Sequence, residues 1–298
     1  MSIIETDSLS RHYGPRRGIE DVHLSVPEGT LFGFLGPNGA GKTTAIRVLV
    51  GLLRPSSGSA RVFGLDCWRD TRAIKDEIGY MPGDLRLMPW LDGRRALKIW
   101  GRVRRRDLLP FGRELADRFA LDLTVRVRNM SRGMRQKLGL ILALAHKPRL
   151  LILDEPTVTL DPLMQAEMHR LLRQWATEGR TVFFSSHTLA EVEQLCDRVA
   201  MIRDGRIVAN ESLVALRRRA GHEVTIQWRN AEAAAQSPPA DFDLQERNEL
   251  IWRGILSGPV DQFVDWLAGR AFDDVSVGRP DLETLFRQFY TSDESADR

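Results

Sequence analysis

Residues 36–44 read GPNGAGKTT and contain the spacing G-x-x-x-x-G-K-[ST]. The apolar residues 30–35 before them are typical of a buried strand, and residues 45–52 place apolar side chains at helical spacing. Glycines let such a loop curl tightly, so that its backbone N–H groups point at one anion and the following helix adds the positive end of its dipole. The order strand, glycine loop, helix therefore predicts a site for the phosphates of a nucleotide triphosphate.

Nine consecutive loop residues are candidates for nucleotide binding: Gly36, Pro37, Asn38, Gly39, Ala40, Gly41, Lys42, Thr43 and Thr44. The Lys42 ammonium is expected to reach the β- and γ-phosphates and to act in catalysis, and the Thr43 hydroxyl is expected to ligate Mg²⁺. A glycine-rich turn that binds nothing is the simplest alternative. The acidic residues described next argue against it.

A second apolar run, Leu150–Asp154, ends in an acid and is followed directly by Glu155. The carboxyl end of a buried parallel strand faces the crevice in which α/β sheets bind ligands. Asp154 is therefore a candidate Mg²⁺ ligand, acting through water, and Glu155 is a candidate general base for an attacking water. The alternative is a core strand that merely ends in surface acids.

A histidine follows a third predicted strand, residues 181–185. At that place His187 can hydrogen-bond the γ-phosphate and hold the geometry between the water and Glu155, which makes it a third catalytic candidate. A lone histidine is more often a structural residue, so the structural interpretation stays open.

Composition indicates an ordinary globular protein, because 43 basic and 40 acidic residues among 298 give a net charge of only +3. That balance does not by itself indicate a nucleic-acid partner. All but five of the basic residues are arginines, most simply a compositional bias, and the basic residues 102–106 are expected to form a solvated face. The two cysteines suggest neither a metal site nor a disulfide framework, so a reducing cytoplasm is expected. No signal-peptide pattern and no apolar run of roughly 18 residues is apparent.

The chain alternates between β-rich and helical segments. Residues 1–83 are predicted to be mainly β apart from the helix after the glycine loop, residues 84–147 an inserted helical subdomain, and residues 148–215 a return to β/α alternation. A small α+β domain is predicted at residues 222–290, in which 231–240 are loop-like, followed by a polar tail at 291–298.

Residues 130–136, MSRGMRQ, resemble the signature motif found in ATP-binding subunits of ABC transporters. The order of the phosphate loop, this motif, the Asp-Glu strand, Leu160-Asp161 and then His187 is similar to that family over about residues 1–215. Tyr13 falls where the family has an aromatic residue that stacks on adenine. The resemblance implies a P-loop NTPase fold of the α/β class, with a mixed sheet core, a β subdomain and the helical insertion.

The same resemblance implies a homodimer that holds two ATP molecules between its subunits. In that arrangement Ser131 and Gly133 would contact the γ-phosphate bound by Lys42 of the other subunit, and Asp161 would also belong to the nucleotide site. Closure on ATP and reopening after hydrolysis would drive a membrane partner between two states.

The function that the resemblance implies is ATP hydrolysis that powers export through a separately encoded membrane permease. The protein would lie on the cytoplasmic face of the membrane, and the permease would bind the exported small molecule. No nucleic-acid partner is expected. Two alternatives stay open: a soluble ABC-type ATPase that acts on nucleic acid or ribosomes, and an ATP-sensing regulator with little turnover.

The chain departs from the family pattern at three places. Gly83 occupies the position where the family usually has a Mg²⁺-binding glutamine, and we hypothesise that Asp84 or a water near Gly83 replaces it. Arg132 and Met134 replace the commoner glycine and glutamine of the signature.

Two further segments resemble the family. Residues 85–90, LRLMPW, lie where the family contacts its permease, and residues 280–286 resemble the C-terminal appendage of drug-exporter ATPases.

Overall fold

The computed structural model describes residues 1–278. The chain divides into two compact units, Met1–Asn210 and a second unit that begins at Glu211. Each unit has its own hydrophobic core.

Strands and helices alternate through much of the chain. The strands are β1 (Ser2–Tyr13), β2 (Arg16–Pro27), β3 (Leu31–Leu35), β4 (Ser57–Val62), β5 (Leu65–Asp66), β6 (Ile78–Met81), β7 (Leu150–Asp154), β8 (Thr181–Ser186), β9 (Arg198–Arg203), β10 (Arg206–Ser212), β11 (His222–Trp228), β12 (Phe242–Arg247), β13 (Ile251–Leu256) and β14 (Phe272–Val277). The α-helices are α1 (Lys42–Leu49), α2 (Thr71–Glu77), α3 (Gly93–Arg104), α4 (Leu109–Arg118), α5 (Arg132–Leu144), α6 (Pro162–Thr177), α7 (Leu189–Leu195), α8 (Leu213–Ala220), α9 (Ala231–Ala234) and α10 (Val260–Leu267). None of these helices has both the length and the apolar character that crossing a membrane requires.

The central sheet of the first unit has the strand order β10-β9-β3-β8-β7-β6, and its β9-β3-β8-β7-β6 pairings are parallel. Every residue of β3, β7 and β8 is buried. A strand that is covered on both faces has no side facing water, so its sequence is usually a nearly continuous apolar run. Because these strands are parallel neighbours, their carboxyl ends meet at one sheet edge.

A second sheet, of order β2-β1-β4-β5, is antiparallel. Its buried residues, such as Ile4 and Val62, share one core with Ile46 of α1 and with Phe32 and Phe183 of the central sheet. The rings of Phe32 and Phe183 stack at 5.8 Å. The helix that begins at the glycine loop is therefore held between the two sheets. The predicted α/β class with a mixed sheet, a β subdomain and a helical insertion is confirmed.

The inserted helices are fixed to the central sheet through hydrogen bonds to β6. The Arg104 guanidinium at the end of α3 donates to the carbonyl oxygens of Lys75 at 2.9 Å and of Ile78 at 3.2 Å. Nε2 of His146 lies 2.9 Å from the same Ile78 oxygen. Burial lowers the pKa of His146 to about 4, so this imidazole is neutral at physiological pH and donates to the carbonyl.

The second unit contains an antiparallel sheet of order β12-β13-β11-β14. Its core is aromatic: Trp228 and Trp252 are fully buried with ring centroids 5.0 Å apart, and Phe242, Phe263 and Trp266 pack around them. Large rings supply most of the buried apolar area that a unit this small can form. The sheet and α10 make this unit α+β.

One predicted segment was wrong and several elements were not predicted. Residues 231–240 were expected to be a loop, but Ala231–Ala234 form α9, whose first turn is capped by the Asn230 side-chain oxygen, which accepts from the N–H of Ala233 at 2.8 Å. α2, α8 and β12 were not predicted, because their apolar residues are too few to set a period. The part of the predicted α+β domain beyond residue 278, with its motif at 280–286, and the tail at 291–298 lie outside the described residues.

Candidate nucleotide site

The glycine loop has the left-handed backbone that its composition predicts, with φ of 84° at Gly39 and 107° at Gly41. A Cβ at Gly41 would lie 2.6 Å from the carbonyl oxygen of Gly18, so only glycine fits there. The loop is also braced from outside, because the Gly205 N–H donates to the Ala40 carbonyl at 2.9 Å. Neighbouring backbone thus fixes the curl of the loop.

Lys42 is the first residue of α1, and its side chain is 4% exposed. Its ammonium donates to the carbonyl oxygens of Gly36 at 2.6 Å and of Pro37 at 3.1 Å. The same nitrogen lies 3.1 Å from Oε1 of Glu155. A buried charge requires such partners, since an unpaired one would be strongly destabilising. The loop, its lysine and the acid after β7 therefore form one cluster.

Asp154 ends β7 and is buried, with both carboxylate oxygens bonded. Oδ2 accepts a hydrogen bond from the Thr43 hydroxyl at 2.9 Å, and Oδ1 accepts one from the Ser185 hydroxyl at 2.8 Å. Carboxylate and hydroxyl oxygens are the ligands that Mg²⁺ prefers. The two side chains predicted to hold Mg²⁺ are therefore adjacent and chemically suited to it.

Glu155 adopts φ of 49°, a left-handed conformation that is uncommon outside glycine. Its N–H donates to Ser185, at 3.2 Å to the carbonyl oxygen and at 3.0 Å to the hydroxyl. Its Oε2 lies 3.4 Å from Nδ1 of His187. Such a conformation costs roughly 1–3 kcal/mol and persists only where the surroundings impose it. Here it directs the carboxylate back over the glycine loop, towards Lys42.

A cavity of about 690 Å³ opens beside these groups. The predicted residues that line it are Tyr13, Asn38, Gly39, Gly41, Lys42, Thr43, Thr44, Asp154 and Glu155. The Tyr13 side chain is accessible, the residue being 41% exposed, and a Cβ at Gly18 would lie 2.9 Å from its ring. Because Gly18 has none, the ring packs over the backbone at the mouth of the cavity. A cavity of this volume has room for a nucleotide triphosphate.

Four other predicted residues are not among those that line the cavity. Gly36 and Pro37 contact the Lys42 ammonium through their carbonyls, Ala40 is bonded to Gly205, and His187 contacts Glu155.

Ser131, Gly133 and Asp161 are not among the residues that line this cavity. Ser131 caps α5 by accepting from the Met134 N–H at 3.1 Å, and Asp161 caps α6 by accepting from the Met164 N–H at 3.0 Å. Within one chain these side chains begin helices. Their role at a nucleotide depends on a second subunit and stays a prediction.

The position of the missing glutamine is occupied by close-packed backbone. A Cβ at Gly83 would lie 3.2 Å from the Asp154 carbonyl oxygen and 3.7 Å from its carboxylate carbon. The next residue, Asp84, lines the cavity, and its exposed carboxylate forms an ion pair with Arg86 at 2.8 Å. Asp84 is therefore near the Mg²⁺ candidates but is held by another partner.

Several residues of the site were not predicted as site residues: Arg16, Arg17, Gly18, Arg47, Arg132, Gln136, Val158, Thr159 and Ser185. Several of them lie in or beside the motifs, but no local pattern marks them as site residues: Arg47 follows the glycine loop, Arg132 and Gln136 belong to residues 130–136, and Val158 and Thr159 lie between Glu155 and Asp161. Ser185 is the exception, since it lies at the end of a predicted buried strand, two residues before His187. A buried hydroxyl at that edge was a usable signal.

Comparison with known proteins places these features in one family. The family model described as ABC transporter matches residues 19–158. A daunorubicin resistance ATP-binding protein of Streptomyces coeruleorubidus (DrrA3) is 35% identical over 95% of this chain and 94% of its own length. The bacitracin transport ATP-binding protein of Bacillus licheniformis (BcrA) is 34% identical over 82% of this chain and 81% of its own length.

Solved structures agree. A structure of an ATP-binding subunit of an ABC transporter has a TM-score of 0.69 and 27% identity, covering 73% of this chain and 93% of that one. A dimeric ATP-binding cassette bound to ADP and Pi has a TM-score of 0.65 at 20% identity, over 70% and 98%, and shows the shared fold. The chain belongs to the family of ABC transporter ATP-binding proteins, and it is an ATPase of that family.

Ser185 contacts both candidate acids, Asp154 and Glu155, so its hydroxyl is expected to set their geometry. Ser185→Ala removes one bond to the Asp154 carboxylate and one from the Glu155 N–H. A hydrogen bond to a charged group contributes about 1.5–3 kcal/mol, so we expect steady-state ATP hydrolysis to fall about 10- to 100-fold. Ser186→Ala is the matched control, because Ser186 is equally buried but donates to Glu191 and Thr188 instead. Equal rates for the two variants would contradict the assignment.

Proposed function

We propose that this ATPase powers export of a small molecule through a separately encoded membrane permease, as one subunit of a homodimer. The observation that carries the proposal is a pair of contacts beside one cavity, Lys42 with Glu155 at 3.1 Å and Thr43 with Asp154 at 2.9 Å. Similarity to proteins named for daunorubicin resistance and for bacitracin transport supports the transport role.

ATP binding would use groups that the cavity already presents. Backbone N–H groups of the glycine loop and the positive end of α1 attract the phosphates. The Lys42 ammonium exchanges its carbonyl contacts for phosphate oxygens, and the accessible ring of Tyr13 stacks on adenine. Thr43 and Asp154 would hold Mg²⁺, which neutralises charge on the phosphates when it is bound.

Hydrolysis then depends on the acid beside the loop. Glu155 accepts a proton from the attacking water, and its position is set by the bonds from its N–H to Ser185. His187, 3.4 Å from the Glu155 carboxylate, orients the carboxylate and donates to the γ-phosphate. The ion pair between Lys42 and Glu155 keeps the base close to the phosphate-binding lysine.

The homodimer would account for Ser131, Gly133 and Asp161, which do not line the cavity. Ser131 caps α5, Arg132 and Gly133 are its first two residues, and Ser131 and Arg132 are exposed. Two chains arranged head to tail would direct these N–H groups and the Arg132 guanidinium at the γ-phosphate held by Lys42 of the other chain. Asp161, which caps α6, would support the same interface.

Residues 85–90 are proposed to contact the permease. Met88 and Trp90 are 57% and 54% exposed, and large apolar side chains exposed together on a loop are typical of protein interfaces. The cargo would bind to the permease, and this chain would lie on the cytoplasmic face of the membrane without a nucleic-acid partner.

Glu155→Gln is the test of the catalytic assignment. Loss of the general base should lower steady-state ATP hydrolysis by about 10²–10⁴-fold, while binding of a fluorescent ATP analogue stays within twofold of wild type (roughly 0.4 kcal/mol). Glu178→Gln serves as the control, because Glu178 lies outside the site. If Glu155→Gln hydrolyses ATP at the wild-type rate, the assignment is wrong. If the wild-type protein itself hydrolyses ATP as slowly as a variant without the base, the ATP-sensing alternative is favoured. The absence of the family glutamine at Gly83 leaves that alternative open.

The role of Asp84 is tested through Mg²⁺ dependence. If Asp84 replaces the missing glutamine, Asp84→Ala should raise the Mg²⁺ concentration for half-maximal hydrolysis about 10-fold. Arg86→Ala, which frees the Asp84 carboxylate from its ion pair, should lower that concentration or leave it unchanged. An unaltered Mg²⁺ requirement in Asp84→Ala would assign the role to a water beside Gly83.

The permease is tested by capture. Tagged Glu155→Gln protein with ATP should retain a polytopic membrane protein from detergent-solubilised membranes of the native host, because blocked hydrolysis holds the dimer closed. The additional change Trp90→Ala should reduce that capture at least fivefold, about 1 kcal/mol at an interface. Recovery of ribosomes or DNA without a membrane protein would favour the soluble ATPase instead.

A further inference from the structure

One segment of the helical insertion concentrates positive charge. Residues 93–106, which comprise α3 and its two following residues, contain seven basic residues and no acidic residue. The whole chain has a net charge of only +3. If the many arginines reflected only a compositional bias, acidic residues would be interspersed among them. Asp92 and Asp107 flank this segment, but no acidic residue lies within it. The segment is therefore a local positive field on a nearly neutral protein.

Three of the seven basic side chains have structural partners. Arg95 pairs with Asp92 at 3.3 Å, Arg104 donates to carbonyls around β6, and Arg106 donates to the His146 carbonyl at 3.3 Å. The other four side chains are exposed and have no ion pair among the described residues: Arg94, Lys98, Arg102 and Arg105. We call these four the basic face.

The geometry of the helix brings the basic face together. Arg94, Lys98 and Arg102 are spaced four residues apart, which places them on one side of α3. Lys98, Arg102 and Arg105 also line one shallow cavity of about 420 Å³, together with Leu97, Arg106, Asp107 and Leu108. The basic side chains here outnumber the acids near them, which are Asp107 in this cavity and Asp122 near Arg94. Their remaining mutual repulsion would be reduced by an anionic partner.

Apolar side chains are exposed on the same helix. Ile99, Trp100 and Val103 are 37%, 36% and 79% exposed, and at 100° per residue Ile99 and Val103 follow directly on from the basic stripe. Helices with a basic side next to exposed aliphatic and tryptophan side chains are typical of membrane interfaces. A nucleic-acid duplex would use the cations but would leave Ile99 and Val103 uncovered. The combination therefore favours a lipid surface.

We propose that the basic face binds the anionic lipid headgroups of the membrane that contains the permease. Phosphate groups would pair with Arg94, Lys98, Arg102 and Arg105, while Val103 and its apolar neighbours would enter the headgroup region. This inference rests on the proposed function only in placing the protein at a membrane. It assigns to the chain its own affinity for lipid, independent of the permease.

The test measures binding of the purified full-length protein to vesicles without any permease. Phosphatidylcholine vesicles are compared with vesicles of equal parts phosphatidylcholine and phosphatidylglycerol by co-sedimentation, at low and at physiological salt. Each basic residue near an anionic surface strengthens binding about fivefold. We therefore expect Arg94→Gln/Lys98→Gln/Arg102→Gln to weaken binding to the anionic vesicles about 100-fold.

Matched variants separate the basic face from total charge and from folding. Arg61→Gln/Arg69→Gln/Arg72→Gln removes the same charge from exposed residues elsewhere and should bind nearly as wild type. Arg94→Lys/Arg102→Lys should retain binding, since a lysine also pairs with phosphate. Val103→Glu, at a side chain with little packing to lose, should weaken binding at least 10-fold.

The proposal is overturned if wild type binds neutral and anionic vesicles equally, or if the two triple-glutamine variants bind alike. Tighter binding to a DNA duplex than to anionic vesicles at the same salt would also overturn it in favour of a nucleic-acid partner. ATP hydrolysis by each variant, measured without vesicles, should equal that of wild type. Failure here leaves permease capture unaffected, so the two proposals are tested separately.

Discussion

The parallel register of β3, β8 and β7 is the constraint on which the site depends. Leu35 pairs with Ser186, and Ser185 pairs with Asp154, so the three strands end at the same level. The glycine loop, the two acids and the histidine therefore leave one sheet edge within hydrogen-bonding distance of one another. A shift of one residue in β8 would turn the Ser185 hydroxyl away from both acids. Burial of all three strands fixes this register, because a shifted strand would lose its apolar contacts.

The surroundings of this edge are held by backbone contacts more than by side chains. Gly18, Gly41 and Gly205 lie so close that a Cβ on any of them would meet a neighbour at 3.1 Å or less. On the other side, Arg104 and His146 bond the helical insertion to β6. The insertion is therefore attached at the strand that leads to Gly83 and Asp84. Movement of the insertion and the environment of Asp154 are physically connected through β6.

The many arginines serve different purposes. Arg104 and Arg106 satisfy backbone carbonyls and act as structural residues. Arg132 stands at the beginning of α5 beside the cavity, where a cation can reach phosphate. Arg94 and Arg102 are exposed and have no ion pair among the described residues, and we assign them to the membrane surface. One residue type is thus used for folding, for the nucleotide and for location, and its sequence context alone does not distinguish these uses.

The sequence by itself determined the identity of the nucleotide loop, the acid pair after β7 and the α/β class, because each follows from local spacing and apolar periodicity. The apolar run Leu150–Asp154 coincides with β7. Tertiary structure decided what depends on distant neighbours. Segments far apart in the chain meet where Ser185 bonds to both acids and where Gly83 approaches Asp154. The left-handed backbone of Glu155 is held by its contacts with Ser185. The structural arginines differ from those of the basic face in their hydrogen-bond partners, which only the tertiary structure supplies.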